Sequence, residues 1–217
     1  MNHKRKEKGF TLVELAIVLV IIGIILGAIL KGTELINNAK VKRLQNDLKG
    51  IEAAMWTYYD RQGRMPGDCD RNGIIGFGLT VGTSGSGLGY TTTATPTADY
   101  CATPATAETN ANRAWSDMRV QRVLSYATPN TDLARHNFND FFAIGSIISG
   151  ANSYNAIVVY GIPAWAAKMI DTAIDGSADG TAGRVRNFST SATGTTWPAD
   201  TLNDQIVSLI YYFDRAP

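Results

Sequence analysis

Residues 10–30 form an unbroken apolar run of 21 residues with a single charge, Glu14. As a helix rising about 1.5 Å per residue, such a run is about 30 Å long, the thickness of the hydrocarbon core of a bilayer. Lys4, Arg5, Lys6 and Lys8 precede it against one acid, Glu7. That bias holds the N-terminus in the cytoplasm and places the rest of the chain outside. A secretory signal peptide fits poorly, because its apolar stretch is shorter and is followed by a small-residue cleavage site. Here the small residue, Gly9, stands before the run.

The rest of the composition narrows the function classes. Across 217 residues there are 20 Lys and Arg against 19 Asp and Glu. Without the first nine residues the balance is 16 against 18, a formal charge of −2. A mildly acidic body suits a solvated exterior, and no strong field points to nucleic acid or an acidic substrate. The length accommodates one domain with an extension, or two small domains.

The segment Lys8-Gly9-Phe10-Thr11-Leu12-Val13-Glu14-Leu15 resembles the prepilin leader of type IV pilins and type II secretion pseudopilins. The resemblance covers the leader, the apolar helix and its extension, about the first 60 residues. It implies that residues 1–9 are a leader and that a prepilin peptidase cuts between Gly9 and Phe10 on the cytoplasmic side. It further implies that the new amino group of Phe10 is methylated and that inner-membrane machinery assembles the chain into a filament. The expected partners are further copies of itself, other pilin-like subunits, and the membrane before assembly. The expected location is the bacterial inner membrane, then a periplasmic or extracellular filament.

Glu14 is expensive in a membrane helix, by a few kcal/mol, and intramembrane acids are usually functional. Its alternatives are to reach the interface or to be protonated. By resemblance it meets the positive N-terminus of a neighbouring subunit. Cleavage creates that α-amino group four residues away, so the partner charge exists only after processing. Attraction in a low dielectric then sets the axial register between subunits.

The helix is expected to continue through residues 31–62 as an amphipathic extension. Leu44, Leu48, Ile51, Met55 and Tyr58 form a stripe on one face, with Lys42, Arg43, Gln45, Asp47, Lys49 and Glu52 between them. Gly63 and Pro66 end the pattern. Gly23 and Gly27 form a G-x-x-x-G, read either as a close-packing motif or as glycine tolerated in a membrane helix. Where many pilins carry a helix-breaking proline, this chain has Lys31.

Residues 63–217 are expected to form a globular head. Asp68, Asp70, Asn72 and Gly73 fit D-x-D-x-N-G, the first half of a calcium loop, with Ile74 offering its carbonyl. The twelfth position is Leu79 instead of an acid, and the same residues favour an Asx turn. Calcium is the only cofactor this spacing raises. Cys69 and Cys101 fit a disulfide, since neither lies in a metal-ligand spacing and the chain is exported. Such a bond would staple a surface loop at about residues 78–111, rich in Gly, Thr, Ser and Ala, that cannot form a core of its own. A helix is expected at residues 113–126 with Asn112 as its N-cap, and another from Pro163 to Gly176. Strands are expected at residues 143–148, 156–160, 184–188 and 206–213. Asp171, Asp175, Gly176 and the run Gly183-Arg184-Val185-Arg186 resemble a recurring feature of some prepilin-type proteins, read as a helix end plus turn or as part of a cation site.

The expected fold class is α+β: a long N-terminal helix, membrane-spanning in its first half, packed on a small antiparallel β-sheet head. His136 is the only histidine beyond the leader, and there is no nucleotide loop or nucleophile elbow. Trp56, Trp115, Trp165 and Trp197 are scattered singly, as core or contact residues are. The chain therefore reads as a structural filament subunit and not an enzyme, in a pilus or a pseudopilus. A minor, tip-located subunit with an adhesive head is compatible with this. The alternative is a single-pass anchored binding domain or enzyme, which leaves Gly9 and Glu14 unexplained.

Overall fold

The computed structural model describes residues 10–96, 100–101, 110–149 and 151–215. The chain divides into two compact units, Met1–Lys40 and Val41–Pro217. One helix, α1 (Leu12–Gln62), contributes to both. Its apolar side chains at positions 12–36 are all exposed, with nothing of the first unit available to cover them. From Val41 onward the pattern changes to a stripe: Val41, Leu44, Leu48, Met55 and Tyr58 are buried and Ile51 is half-buried. Gly63 ends the helix in the left-handed conformation, its N–H reaching the Tyr59 carbonyl at 2.8 Å.

The second unit holds α2 (Arg113–Val120), α3 (Asn130–Ala134), β1 (Phe142–Ser149), β2 (Asn152–Pro163), α4 (Ala164–Asp175), β3 (Val185–Asn187) and β4 (Ile206–Tyr211). The strands form one antiparallel sheet in the order β1-β2-β4-β3. In the β1–β2 hairpin, Phe142 faces Val159 and Ser149 faces Asn152. The β2–β4 register shifts between Val159 and Ile162. Gly161 sits in that bulge at φ +65°, and a Cβ there would run into the Asp140 carboxylate, so glycine is required on both counts.

Both faces of the sheet are buried. Ile144, Ile157, Val159, Leu209 and Tyr211 pack with the α1 stripe, with Trp115 of α2 and with Ile170 of α4. Ala143, Val158, Tyr160, Ile210 and Tyr212 form a second layer with Leu79 and Phe188. Polar contacts reinforce the first face: Lys49 donates to the Tyr211 hydroxyl, which donates to Glu52 at 2.8 Å. The second layer revises the reading of the surface loop. Residues 78–88, part of the 78–111 stretch expected as a surface loop without a core of its own, cover that layer with Leu79 and Leu88. Leu79 N–H bonds the Ser146 carbonyl, Tyr160 donates to the Thr80 carbonyl, and Tyr90 donates to that of Phe142. Both sheet edges are met by loop backbone, through a parallel bridge from Gly78 to Ser146 on β1 and a bridge from Asn187 of β3 to Thr195.

Two further expectations are corrected. The 113–126 helix stops at Val120, because Arg122 takes φ +58° while the N–H groups of Arg122 and Val123 return to the Arg119 and Met118 carbonyls. That is a Schellman termination with arginine where glycine is usual. Asn112 occupies the N-cap position but makes no side-chain cap. Its Oδ1 instead accepts from the Thr91 N–H and the Asn130 amide.

Candidate functional site

Gly9 and the rest of the leader lie outside the described residues. Phe10 follows outside any helix or strand, 88 % exposed. Thr11 then opens the helix through a reciprocal pair: the Glu14 N–H donates to Thr11 Oγ1 at 3.2 Å, while Glu14 Oε2 accepts from the Thr11 N–H and hydroxyl, each at 2.9 Å. This is a capping box, in which two helix-end donors are satisfied by two side chains. The T-x-x-E spacing of Thr11 and Glu14 is the signal that carries it in the sequence. The box ties Glu14 to the residue next to Phe10, the position where a new amino terminus would arise. In this state the carboxylate is engaged within its own chain.

Beyond the box, α1 is long and apolar enough to cross a membrane. Gly23, Gly27 and Gly32 each face open space, so nothing within the chain calls for their small size. Lys31, at the place of the absent proline, pairs with Glu34 at 2.7 Å, and the helix runs through without interruption.

In the head, Cys69 and Cys101 form a disulfide across 32 residues. The start of the head is fixed around Asp117, which the sequence reading passed over. Asp117 Oδ2 accepts from Arg64 Nη1 and from the Gly67 N–H, each at 2.9 Å, and Oδ1 accepts from the Cys101 N–H at 2.8 Å. One buried carboxylate thus holds both flanks of the disulfide. An arginine beside it works in the same way: Arg119, fully buried, donates to Asn130 Oδ1 and to the carbonyls of Ala94 and Tyr126.

The Asp68–Ile74 segment is drawn together as a turn. Asp68 accepts from the N–H groups of Asn72 and Gly73 at 3.2 and 3.0 Å, Asp70 from the Asn72 amide at 2.7 Å, and Asn72 Oδ1 from the Ile74 N–H at 2.7 Å. The oxygens that would face an ion therefore face amide hydrogens. Burial, then the neighbouring Asp70, raise the Asp68 pKa above the ordinary carboxylate range. Leu79, at the twelfth position, is in the second core layer. Among the described residues, no group of three or more His, Cys, Asp or Glu side chains is arranged to hold a metal ion.

The Asp171–Arg186 region is a helix end with its turn. Asp175 Oδ2 accepts from the Val185 N–H at 2.8 Å, and Gly176 ends α4 at φ +84°. Asp171 is 1 % exposed; its Oδ2 accepts from Trp197 Nε1 at 2.6 Å and the Gly180 N–H at 3.2 Å, while Oδ1 has no hydrogen-bond partner among the described residues. Burial raises its pKa to about 6, against the pull of those two donors, with Asp175 and Asp179 adding to the rise. His136 is a satisfied core residue: Nε2 pairs with the Tyr160 carbonyl at 2.8 Å and Nδ1 accepts from the Phe138 N–H. Its burial lowers the pKa to about 4.

An exposed apolar helix, capped at its start and continuing as the spine of an antiparallel head, defines the class: an α+β chain built on an N-terminal hydrophobic helix. Residues 4–30 match the family model of the prokaryotic N-terminal methylation motif, the signature of type IV pilins and pseudopilins. No curated protein and no solved structure matches the chain significantly.

Proposed function

We propose that the chain is a structural subunit of a type IV pilus or a type II secretion-like pseudopilus. In this reading prepilin peptidase cuts between Gly9 and Phe10, Phe10 is methylated, and the helix of residues 12–30 anchors the chain in the inner membrane before assembly. The observation that carries the reading is the coincidence of the motif match at residues 4–30 with the one helix among the described residues that is long and apolar enough to span a membrane, whose large apolar side chains between positions 12 and 36 are all exposed. An apolar helix of that kind reaches a stable state only in lipid or among other helices.

Glu14 has the assembly role. It leaves the Thr11 box and pairs with the Phe10 amino group of a neighbouring subunit, which cleavage alone provides. The exchange replaces one set of hydrogen bonds by a charge pair in a low dielectric. The Asp68–Ile74 turn holds calcium only if the ion displaces the amide donors of the turn. The filament is driven by separate machinery, and this chain contributes shape and contacts rather than catalysis.

The test is the intact mass and N-terminal sequence of the chain recovered from a sheared cell-surface fraction. A chain that begins at Phe10 and is heavier by one methyl group is the expected result. The same chain confined to membranes places it in a short pseudopilus or a scarce subunit. An uncut chain beginning at Met1 overturns the reading in favour of a single-pass anchored domain.

A further inference from the structure

A pocket of about 390 Å³ lies where the end of α1 meets the first loop of the head, within the size range of small-ligand sites. Filament assembly through residues 10–30 makes no use of it. One wall is aromatic. Trp56 and Tyr59, three residues apart on α1, are 36 % and 42 % exposed, although the adjacent Met55 and Tyr58 are fully buried. The Trp56 ring is held edge-on by Tyr59 at 5.7 Å and by Phe213 at 6.3 Å, so the indole is a fixed surface.

The other wall is polar. Asn155 and Asp68 are buried and fully engaged: Asn155 accepts from the Ile75 N–H and donates to the Gly73 carbonyl, and Asp68 accepts from the Asn72 and Gly73 N–H groups. They form a rigid lining. Arg71 and Asp214 differ from them. Both are exposed at the pocket, and neither makes a hydrogen bond, ion pair or ring contact among the described residues. Arg71 also holds φ +61°, a backbone state that favours glycine.

A free cation and a free anion on one pocket balance each other, which disfavours a charged ligand. Together they supply fork-shaped donors and paired acceptors for a neutral molecule that carries both hydroxyl donors and acceptors. A fixed indole beside them suits a flat C–H face. We propose that this pocket binds a neutral saccharide, with a pyranose ring against Trp56 and its hydroxyls on Arg71 and Asp214.

The experiment titrates methyl glycosides of the common hexoses and N-acetylhexosamines into the full-length chain. A zwitterionic detergent without a sugar headgroup is needed, and binding is read by saturation-transfer NMR. At least one glycoside should bind saturably at millimolar concentration. Trp56→Ala and Arg71→Gly should each weaken it by about tenfold or more. Arg71→Gly relieves the left-handed turn, so its melting temperature should not fall, which separates lost binding from lost folding. No saturable response to any glycoside, or a response that both variants leave unchanged, overturns the proposal. So does a Trp56→Ala chain that no longer enters filaments while the unmutated chain ignores every glycoside, since the pocket would then be a contact between subunits.

Discussion

Along α1, every large apolar side chain between positions 12 and 36 is exposed, whereas Val41, Leu44, Leu48, Met55 and Tyr58 are buried. The two stretches differ in pattern more than in helix-forming tendency. The first is apolar all round, so no single neighbour can cover it. The second confines its apolar residues to one stripe and leaves Lys42, Arg43 and Lys49 in water. Burial inside a chain therefore follows periodicity, while an unpatterned apolar run calls for surroundings that the chain does not supply.

The sharpest test of this contrast is at Glu14, the one charge between residues 10 and 30. Glu14→Ala removes both the capping box and the charge, and filament incorporation should fall to near background with membrane insertion intact. Glu14→Gln keeps an acceptor for Thr11 and loses only the charge. It should fail as Glu14→Ala does, in the same sheared-fraction assay; normal incorporation would reassign the residue to helix capping. Next in size is the disulfide, which constrains only the second unit. Replacing Cys69 and Cys101 by Ser should cost about 3–4 kcal/mol in denaturant unfolding of the head, from the loop closed across the 32-residue separation, and leave insertion unchanged. The two halves of the helix are then compared directly. Leu48→Ala should destabilise the head by about 3 kcal/mol, since Leu48 is fully buried. Ile21→Ala should leave the head's melting temperature unaltered. Equal effects would erase the distinction between the stretches.

A smaller effect is proton-linked. The Asp171 pKa, about 6, lies above the usual unfolded value for aspartate. The folded state therefore binds this proton more readily, and the Asp171 contribution makes the head more stable as pH falls from 7 through 6 toward 4. His136 works in the opposite direction: with its pKa lowered to about 4, it withdraws stability as pH falls below its unfolded value. The difference between the unmutated chain and Asp171→Asn isolates the first effect, expected at about 2 kcal/mol between the two ends of that range. A pH-independent difference would refute it. Calcium should do least. Because the oxygens of Asp68, Asp70 and Asn72 already accept amide hydrogens, millimolar calcium should shift the melting temperature by less than about 2 °C. A larger shift that Asp68→Asn abolishes would show the ion displacing the turn's donors.

The strands were legible because each is a short β-branched or aromatic run between turn residues, and the α1 stripe because it keeps helical spacing across several turns. What escaped had no periodic signal. α3 is five residues long, too short for a pattern. The end of α2 rests on Arg122 in a glycine-like conformation, which no residue type announces. The lid at residues 78–88 is poor in large apolar residues, yet it covers the sheet by placing a few of them, Leu79 among them, and by backbone pairing. At the candidate site, the motif around Gly9, Phe10 and Glu14 could be read directly, because adjacent residues carry it. Asp117, Arg119 and Asp171 could not, since their roles are set by hydrogen-bond partners 7 to 53 positions away.

The two blocked edges of the sheet bear on how such a chain avoids going wrong. Gly78 meets Ser146 on one outer strand and Thr195 meets Asn187 on the other, so neither margin offers a long free row of backbone donors and acceptors. Molecules crowded together with open margins zip into cross-β aggregates. With both margins interrupted, the sheet offers little for edge-to-edge pairing, and assembly by the proposed route would rest on the hydrophobic helix instead.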